Sequence, residues 1–345
     1  MNMSWSIPLK WFFQAIIVCA LIILGLELGA RLALPEQIEQ WRAAYFGMDQ
    51  RFGFISKGAL QNKDGYVNFI PDADIRIIAY YPASRGNVTL EYDCSYKSDR
   101  LGFVSNSRSY QDTSILLLGD SFVQGDGGCE WISRLDPAIR SQVYSTGIMG
   151  LGVLHWNHVV SDLVKLKQPK RILVIFITDD FFRTDWIYSR GQLECVKGGG
   201  DCSDSYWYPI SGNLGEIAVQ RATNRYRPHG TINSLKFHLI ATYSLYRILT
   251  NTSPDEDPIF KRSMNVISEL AAKYDIKLLW VNETDGDGRT SSRARAIAAR
   301  LKALKGLRIS RCDIPVGKFL PRDPHPNAAG YDVLKSCVEQ LVRSW

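Results

Sequence analysis

The sequence has few of the features that mark metal, nucleotide or nucleic-acid proteins. No two cysteines form a CxxC pair and the chain has only five histidines, so its spacings fit no zinc template. Its glycines never take the GxGxxG spacing of dinucleotide-binding turns. A net charge of +6 over 345 residues gives no reason to expect nucleic acid as a partner. Internal repeats and low-complexity tracts are also absent, and a hydrophobic content of 46% is enough for a globular core.

An uncharged apolar run lies near the N-terminus, from Trp11 to Leu26, and apolar residues resume beyond Glu27 as far as Leu34. A helix that spans a membrane needs roughly 20 such residues, so residues 1–34 are predicted to form a membrane anchor. The alternative is a signal peptide that is cleaved after Ala30. We favour the uncleaved anchor, which predicts a single-pass membrane protein.

Cysteine usage predicts the compartment of the remaining chain. Cys19 lies in the apolar run, and six cysteines lie outside it: Cys94, Cys129, Cys195, Cys202, Cys312 and Cys337. An even number, with two cysteines enclosing the Gly-rich loop CVKGGGDC, is typical of disulfides in an oxidising compartment. We therefore expect the bulk of the chain outside the cytoplasm, in the periplasm or at the cell surface.

Residues 35–106 differ in sequence pattern from the rest of the chain. Residues 35–50 are polar and helix-prone, as in a stalk that leaves the membrane. Alternating segments such as ADIRIIAYY and NVTLEYDCSY then predict strands joined by turns. We interpret this part as a stalk followed by a small β-rich lead-in.

Residues 107–345 alternate between strand and helix patterns, which predicts an α/β domain with a parallel sheet. Apolar runs predict strands near residues 115–118, 142–146, 171–178, 276–283 and 307–310. The pattern is lost between about residues 181 and 257, and we interpret that segment as an insertion at the carboxyl edge of the sheet. Its aromatic residues are candidates for stacking on sugar rings, although surface aromatics more often serve ordinary packing.

The stretch ILLLGDSFVQGDG, residues 115–127, is the centre of the predicted site. Four apolar residues lead directly into Gly119, Asp120 and Ser121, which predicts a buried strand that ends in a tight turn. Ser121 then lies at the carboxyl edge of the sheet, where open α/β sheets bind their ligands. The alternative is a turn that only caps a helix, and this stretch by itself favours neither interpretation.

Other candidate site residues lie at the ends of predicted strands or just before the last helix. Gly147 comes after the second predicted strand of the domain, Asp179 after the third, and Asp323 and His325 precede the last helix. Because strand ends of one parallel sheet face the same side, these residues are predicted to meet. Such a group favours acyl transfer, with Ser121 as nucleophile, His325 as base and Asp323 as the partner of the imidazole. Backbone N–H groups of Ser121 and Gly147 would hold the oxyanion.

Four segments resemble, in order, the sequence blocks of the SGNH, or GDSL, hydrolase superfamily: GDSFVQGDG, YSTGIMG, the strand ending TDD, and DPHPNAAGY. SDRLGFVSN resembles a segment of its membrane-anchored members, and the match covers roughly residues 98–178 and 276–345. The resemblance implies a flavodoxin-like three-layer α/β/α fold and serine esterase, deacetylase or O-acyltransferase chemistry. It implies no metal and no organic cofactor. His155 and His158 are three residues apart on a predicted helix, but no third metal ligand is evident.

One position departs from the family pattern. The third block normally ends in Asn-Asp, and the asparagine donates a hydrogen bond to the oxyanion, whereas this chain has Asp179 there. An ionised carboxylate has no hydrogen to donate. Three alternatives stay open: burial protonates Asp179, another group such as Thr178 or Asn157 replaces it, or the site is slow or inactive.

The sequence therefore predicts a serine esterase or deacylase that acts on O-acyl groups, especially O-acetyl groups, of an extracytoplasmic carbohydrate or another small ester. An O-acyltransferase with a membrane acyl-donor protein beside it would use the same three residues. A catalytically silent SGNH-like module that binds glycan is the alternative suggested by Asp179.

Overall fold

The computed structural model describes residues 6–33, 52–56, 58–63, 65–84, 87–183, 207–210, 239, 254–282, 292–304, 306–321, 323 and 325–345. The predicted stalk, most of the predicted insertion, and Cys195 with Cys202 lie outside these residues. The chain divides into two compact units, residues 1–50 with 221–252 and residues 51–220 with 253–345.

The first unit contains one described helix, α1 (Ser6–Ala33). Residues 11–33 of this helix are long and apolar enough to cross a membrane, by length and composition. Most of their large apolar side chains are exposed, Trp11 and Leu32 among them. The predicted apolar N-terminal helix is thus confirmed, and a signal sequence would have the same properties.

The second unit contains strands and helices in the alternation that the sequence predicts. Its strands are β1 (Phe52–Ser56), β2 (Leu60–Lys63), β3 (Tyr66–Phe69), β4 (Asp74–Ser84), β5 (Asn87–Lys97), β6 (Ile115–Leu118), β7 (Val143–Ser145), β8 (Arg171–Phe176), β9 (Trp207–Ile210), β10 (Asp275–Val281) and β11 (Arg308–Cys312). Its helices are α2 (Ser121–Gln124), α3 (Pro137–Arg140), α4 (Val153–Val164), α5 (Pro258–Lys273), α6 (Ser292–Ala303) and α7 (Ala328–Arg343). Short 3-10 turns cover Tyr110–Asp112, Trp131–Arg134, Thr178–Phe181, Pro254–Glu256 and Val316–Lys318.

Five parallel strands form the main sheet in the order β11-β10-β8-β6-β7. In chain order this is the doubly wound arrangement of flavodoxin-like folds, in which the direction of winding reverses between β6 and β8. The predicted α/β fold with a parallel sheet is therefore confirmed. Ligands of such sheets bind outside the carboxyl ends of the strands at that reversal, and Ser121 follows β6 directly.

Alternate residues of the strands pack against helices on both faces of the sheet. On one face Leu116, Val174 and Leu278 belong to a core that includes residues of α4, α5 and α6. On the other face Leu117 and Leu173 belong to a core that includes residues of α3 and α7. The sheet is buried on both sides, which explains why its strands are almost continuously apolar in sequence.

The β-rich lead-in shares the first of these cores. It consists of β1, β4 and β5, with β9 of the predicted insertion as the fourth strand of their sheet, and of the hairpin β2-β3. Ile77 of β4, Phe69 of β3 and Tyr144 of β7 are members of one cluster of buried residues. The lead-in is therefore packed on the α/β region through a common hydrophobic core.

Two disulfides are present in the described part of the chain, as the even number of cysteines outside the apolar run suggests. Cys94–Cys129 joins β5 to the loop after α2, and Cys312–Cys337 joins β11 to α7. Cys19 is a free thiol on α1. The pairing itself depends on which segments meet in space, so it could not be predicted from the spacing.

Removal of the disulfide Cys94–Cys129 is expected to lower the free energy of unfolding. The crosslink closes a loop of sequence separation 35, for which loss of chain entropy in the unfolded state predicts about 3–4 kcal/mol. Urea unfolding of Cys94→Ala/Cys129→Ala would measure the change, with Cys19→Ala as the matched control. A double variant whose midpoint equals that of wild type would contradict this expectation.

Candidate active site

The turn after β6 positions Ser121 in a buried environment. Trp156 of α4 donates a hydrogen bond from Nε1 to the Gly119 oxygen at 3.1 Å, which fixes the end of the strand. The carboxylate of Asp120 accepts from the Phe122 N–H at 2.9 Å and so caps α2. Ser121 begins that helix with only 6% of its surface exposed. The capping interpretation of this turn is correct for Asp120, which leaves the serine hydroxyl available for another role.

The last loop brings His325 to this hydroxyl. His325 Nε2 lies 2.6 Å from Ser121 Oγ, although the two residues are 204 positions apart in sequence. The other ring nitrogen, Nδ1, contacts Asp323 Oδ1. The same carboxylate oxygen accepts from the His325 backbone N–H at 2.8 Å, so Asp323 holds both the ring and the chain that carries it. A serine, an imidazole and a carboxylate thus form one continuous contact chain.

Packing fixes the imidazole as well. The rings of Phe122 and His325 are 5.0 Å apart between centroids. The His325 oxygen accepts from the Leu320 N–H at 2.9 Å, and Asn327 caps α7 by accepting from the Gly330 N–H at 3.1 Å. His325 is 7% exposed and Asp323 is 1% exposed. This arrangement is preorganised, because few rotations of the three side chains remain available to them.

Gly147 lies against the serine helix. A Cβ atom at this position would come within 2.3 Å of the Gln124 backbone nitrogen, so only glycine allows this approach. Gln124 also holds the turn that Gly147 begins: its Oε1 accepts from the Met149 N–H and its Nε2 donates to Asp126, both at 2.8 Å. Gln124 is a positioning residue that sequence reasoning missed, although it stands inside the GDSFVQG segment.

Tyr331 of α7 stabilises the loop after the serine helix. Its hydroxyl donates to the Asp126 oxygen at 3.0 Å, and its ring lies where a Cβ atom on Gly128 would be. Complete burial raises the pKa of Tyr331 well above its ordinary value, so the hydroxyl stays a neutral donor. The DxHPNxxGY segment therefore supplies a packing anchor for the loop in addition to His325.

Asp179 is exposed and forms an ion pair with an arginine of α6. Its side chain is 59% exposed, and Arg293 Nη1 of α6 lies 3.2 Å from Oδ1. The side chain therefore does not have the buried environment that the first of the three alternatives requires. Of the two suggested substitutes, Thr178 is buried and Asn157 lies partly exposed on α4.

Replacement of Asp179 by asparagine is expected to change ester hydrolysis only slightly. An exposed ion pair contributes about 0–1 kcal/mol, so the effect on rate should not exceed about fivefold in either direction. Hydrolysis of p-nitrophenyl acetate by wild type and Asp179→Asn measures it. A gain of a hundredfold would instead show that asparagine completes the oxyanion hole in this chain.

Arg183 is a second group that sequence reasoning missed, because it follows the third block within a segment without a motif. Its Nη1 donates to Asp120 Oδ2 at 2.9 Å and to the Leu151 oxygen at 2.6 Å. Asp180 Oδ1 lies 2.6 Å from the same nitrogen. Burial by itself would lower the pKa of Arg183, but Asp180 and Asp120 raise it above its ordinary value, so the guanidinium is charged.

No group of three or more potential metal-ligating side chains occurs among the residues described above. His155 lies buried at the start of α4, where its Nδ1 accepts from the Gly152 N–H at 3.1 Å. His158 is exposed on the same helix and covers Gly65. The two histidines therefore have packing and capping contacts.

Comparison with known proteins gives matches among solved structures only. No protein-family model and no curated protein matches the sequence. A GDSL-like lipase from Bacteroides thetaiotaomicron is 12% identical with a TM-score of 0.34, over 69% of this chain and 91% of that one. A carbohydrate acetylesterase family member from Sinorhizobium meliloti is 11% identical with a TM-score of 0.35, over 67% and 98%. An acetyl xylan esterase from Butyrivibrio proteoclasticus is 12% identical with a TM-score of 0.34, over 78% and 74%. Similarity at this level identifies neither a family nor an activity, so the site itself has to indicate the function.

Proposed function

We propose that this protein is a serine esterase of the SGNH type that removes O-acyl groups, in particular O-acetyl groups, from an extracytoplasmic carbohydrate. The observation that carries this proposal is the contact of 2.6 Å between His325 Nε2 and Ser121 Oγ, with Asp323 on the other ring nitrogen. A hydroxyl, a base within hydrogen-bond distance and a group that orients the base are the parts of an activated nucleophile. The order and type of the four sequence blocks support the same assignment.

In this reaction Ser121 Oγ attacks the acyl carbon while its proton passes to His325 Nε2. The carbonyl electron pair moves onto the oxygen, which the backbone N–H groups of Ser121 and Gly147 stabilise. Collapse of this intermediate breaks the bond to the sugar oxygen, and that oxygen takes the proton from the imidazolium. Water then attacks the acyl-serine by the same route and releases the free acid. Asp323 stays ionised and stabilises the charged imidazole in both halves.

Placement outside the cytoplasm is part of the proposal. Two disulfides within the described residues are typical of an oxidising compartment, and α1 is suited to anchor the chain in a membrane. Acylated carbohydrates of the cell surface or periplasm would be the esters available to such an enzyme. The anchor is proposed to be uncleaved and to leave the second unit outside the cytoplasm.

The test is acetate release by the purified full chain in detergent, with O-acetylated polysaccharide as substrate and the same polymer after alkaline de-acetylation as the blank. The proposal predicts release that a sulfonyl fluoride blocks. Folded protein that releases no acetate from the polymer and hydrolyses no p-nitrophenyl acetate would overturn it. Acetyl transfer to an added sugar acceptor without release of free acetate would also overturn it, in favour of an acyltransferase.

A further inference from the structure

We infer that Arg183 supplies the side-chain donor of the oxyanion hole, hydrogen-bonding the negatively charged oxygen of the tetrahedral intermediate through Nε or Nη2. This inference depends on the proposed esterase function. It assigns to Arg183 the task that the family pattern gives to asparagine at the position of Asp179.

The location of Arg183 is the first observation. Three segments build the predicted oxyanion hole: the serine turn, the turn that begins at Gly147, and the end of β8. Arg183 contacts the first through Asp120, the second through the Leu151 oxygen and the third through Asp180. Within the described part of the chain, it is the cationic side chain that contacts all three segments. Its guanidinium therefore lies where they converge.

Distance is the second observation. Asp120 Oδ2 lies 2.9 Å from Arg183 Nη1 and 3.4 Å from Ser121 Oγ. Nη1 therefore lies no farther than about 6.3 Å from Ser121 Oγ. The oxyanion forms two bonds away from Oγ, so a donor for it must lie within roughly 5–6 Å of Oγ when its own hydrogen bond is about 2.9 Å long. This upper bound for Nη1 lies close to that range.

The third observation is that Arg183 has donors left over. A guanidinium carries five N–H donors in a rigid plane, and the three contacts of Arg183 all use Nη1. Nε and Nη2 have no hydrogen-bond partner among the described residues. The side chain is 22% exposed while both carboxylates are completely buried, so the guanidinium is anchored through Nη1 and part of the side chain is accessible. A hydrogen bond from a charged donor is shorter and stronger than one from a neutral amide.

The position of Asp179 completes the argument. A carboxylate beside the oxyanion would repel it, and here the carboxylate is held outward by Arg293. Arg183 is instead held inward by two carboxylates, which leaves the cluster without excess positive charge before substrate binds. A fixed cation would then stabilise the negative charge that develops on the oxyanion, and it would not have to reorganise during the reaction.

The test measures kcat and KM for p-nitrophenyl acetate in wild type, Arg183→Gln and Arg183→Lys. Loss of one oxyanion donor typically costs about a hundred- to a thousandfold in kcat, and we expect this loss in Arg183→Gln with KM changed less than about threefold. Arg300→Gln is the matched control, since it removes an exposed arginine of α6 that pairs with Asp255, and it should change kcat less than about fivefold.

The variant Asp180→Asn distinguishes the donor role from a role in folding alone. It removes one of the two carboxylates that anchor Arg183 and leaves Nε and Nη2 in place. The donor role predicts a much smaller loss of kcat than in Arg183→Gln, and a purely structural role predicts equal losses. Affinity for a boronic acid, whose serine adduct carries a negatively charged oxygen, should fall in Arg183→Gln with kcat. If Arg183→Gln fails to fold, Arg183→Lys serves as the second variant. Lysine keeps the positive charge within the cluster but lacks the Nε and Nη2 donors of the guanidinium, and kcat should fall at least about tenfold.

Wild-type kcat in either folded Arg183 variant, or equal losses in Arg183→Gln and Asp180→Asn, would overturn this inference and leave the esterase proposal intact. Wild type that neither hydrolyses the ester nor reacts with a serine-directed fluorophosphonate would overturn the esterase proposal and this inference together.

Discussion

Replacement of His325 by alanine is expected to lower kcat for acetyl-ester hydrolysis by about four to six orders of magnitude. The imidazole is the only group in contact with Ser121 Oγ that can take a proton and return it to the leaving alcohol, among the residues the structure describes. Asp120 is the other neighbour of this oxygen, at 3.4 Å, but its carboxylate is held by Arg183 and by the Phe122 N–H. Without His325 the hydroxyl keeps its proton and remains a weak nucleophile.

The measurement is the steady-state hydrolysis of p-nitrophenyl acetate by the full chain, with thermal unfolding recorded on the same preparation. His158→Ala is the matched control, because His158 is an exposed histidine of the same domain whose ring lies against Gly65. We expect the control to keep its activity. A His325→Ala variant that is folded and retains more than a tenth of wild-type kcat would rule out general-base catalysis by this residue.

Replacement of Asp323 by asparagine is expected to lower kcat by about 10⁴-fold, with little change in size or packing. Asp323 Oδ1 accepts both the His325 backbone N–H and the ring Nδ1–H, so Nε2 is the ring nitrogen that accepts the proton of Ser121. An asparagine amide can turn its NH₂ group towards Nδ1, and the ring would then carry its proton on Nε2 and be unable to act as a base. The charge that stabilises the imidazolium is lost as well.

Asp332→Asn on α7 serves as the control for this variant, since its carboxylate is 60% exposed and forms a surface ion pair with Arg134. Both variants should unfold near the wild-type temperature, because the change is isosteric. Equal activities for Asp323→Asn and Asp332→Asn would mean that Asp323 does not orient the base.

The path of the chain through the site was predictable where the residue types are compatible with only one local structure. Ile115–Leu118 is too apolar for a surface strand, and Gly119 directly after it requires a turn, so Ser121 had to lie at the edge of a buried sheet. The spacing of polar residues at strand ends predicted that Ser121 and His325 would meet, and the structure brings them together. The observed ends of strands such as β11 and β8 differ from the predicted ends by one or two residues, because fraying at strand ends depends on tertiary contacts.

Features that depend on side-chain direction were not predictable. Asp179 occupies the expected position in the sequence but its carboxylate points to Arg293, a residue on a helix that the sequence separates from it by 114 positions. Arg183 has no sequence motif, and only the folded structure shows that its guanidinium contacts Asp120, the residue before the nucleophile. The pairing of Cys94 with Cys129 likewise depends on how the lead-in packs on the domain.

The most direct test of this enzyme assignment is the reaction of the full-length protein with a fluorophosphonate, followed by mass spectrometry of its peptides. A nucleophile activated by His325 should form a covalent adduct on Ser121 in wild type and should form none at a comparable rate in His325→Ala. Folded wild-type protein that gives no adduct, or an adduct on a different serine, would contradict the pairing of Ser121 with His325 as catalytic machinery.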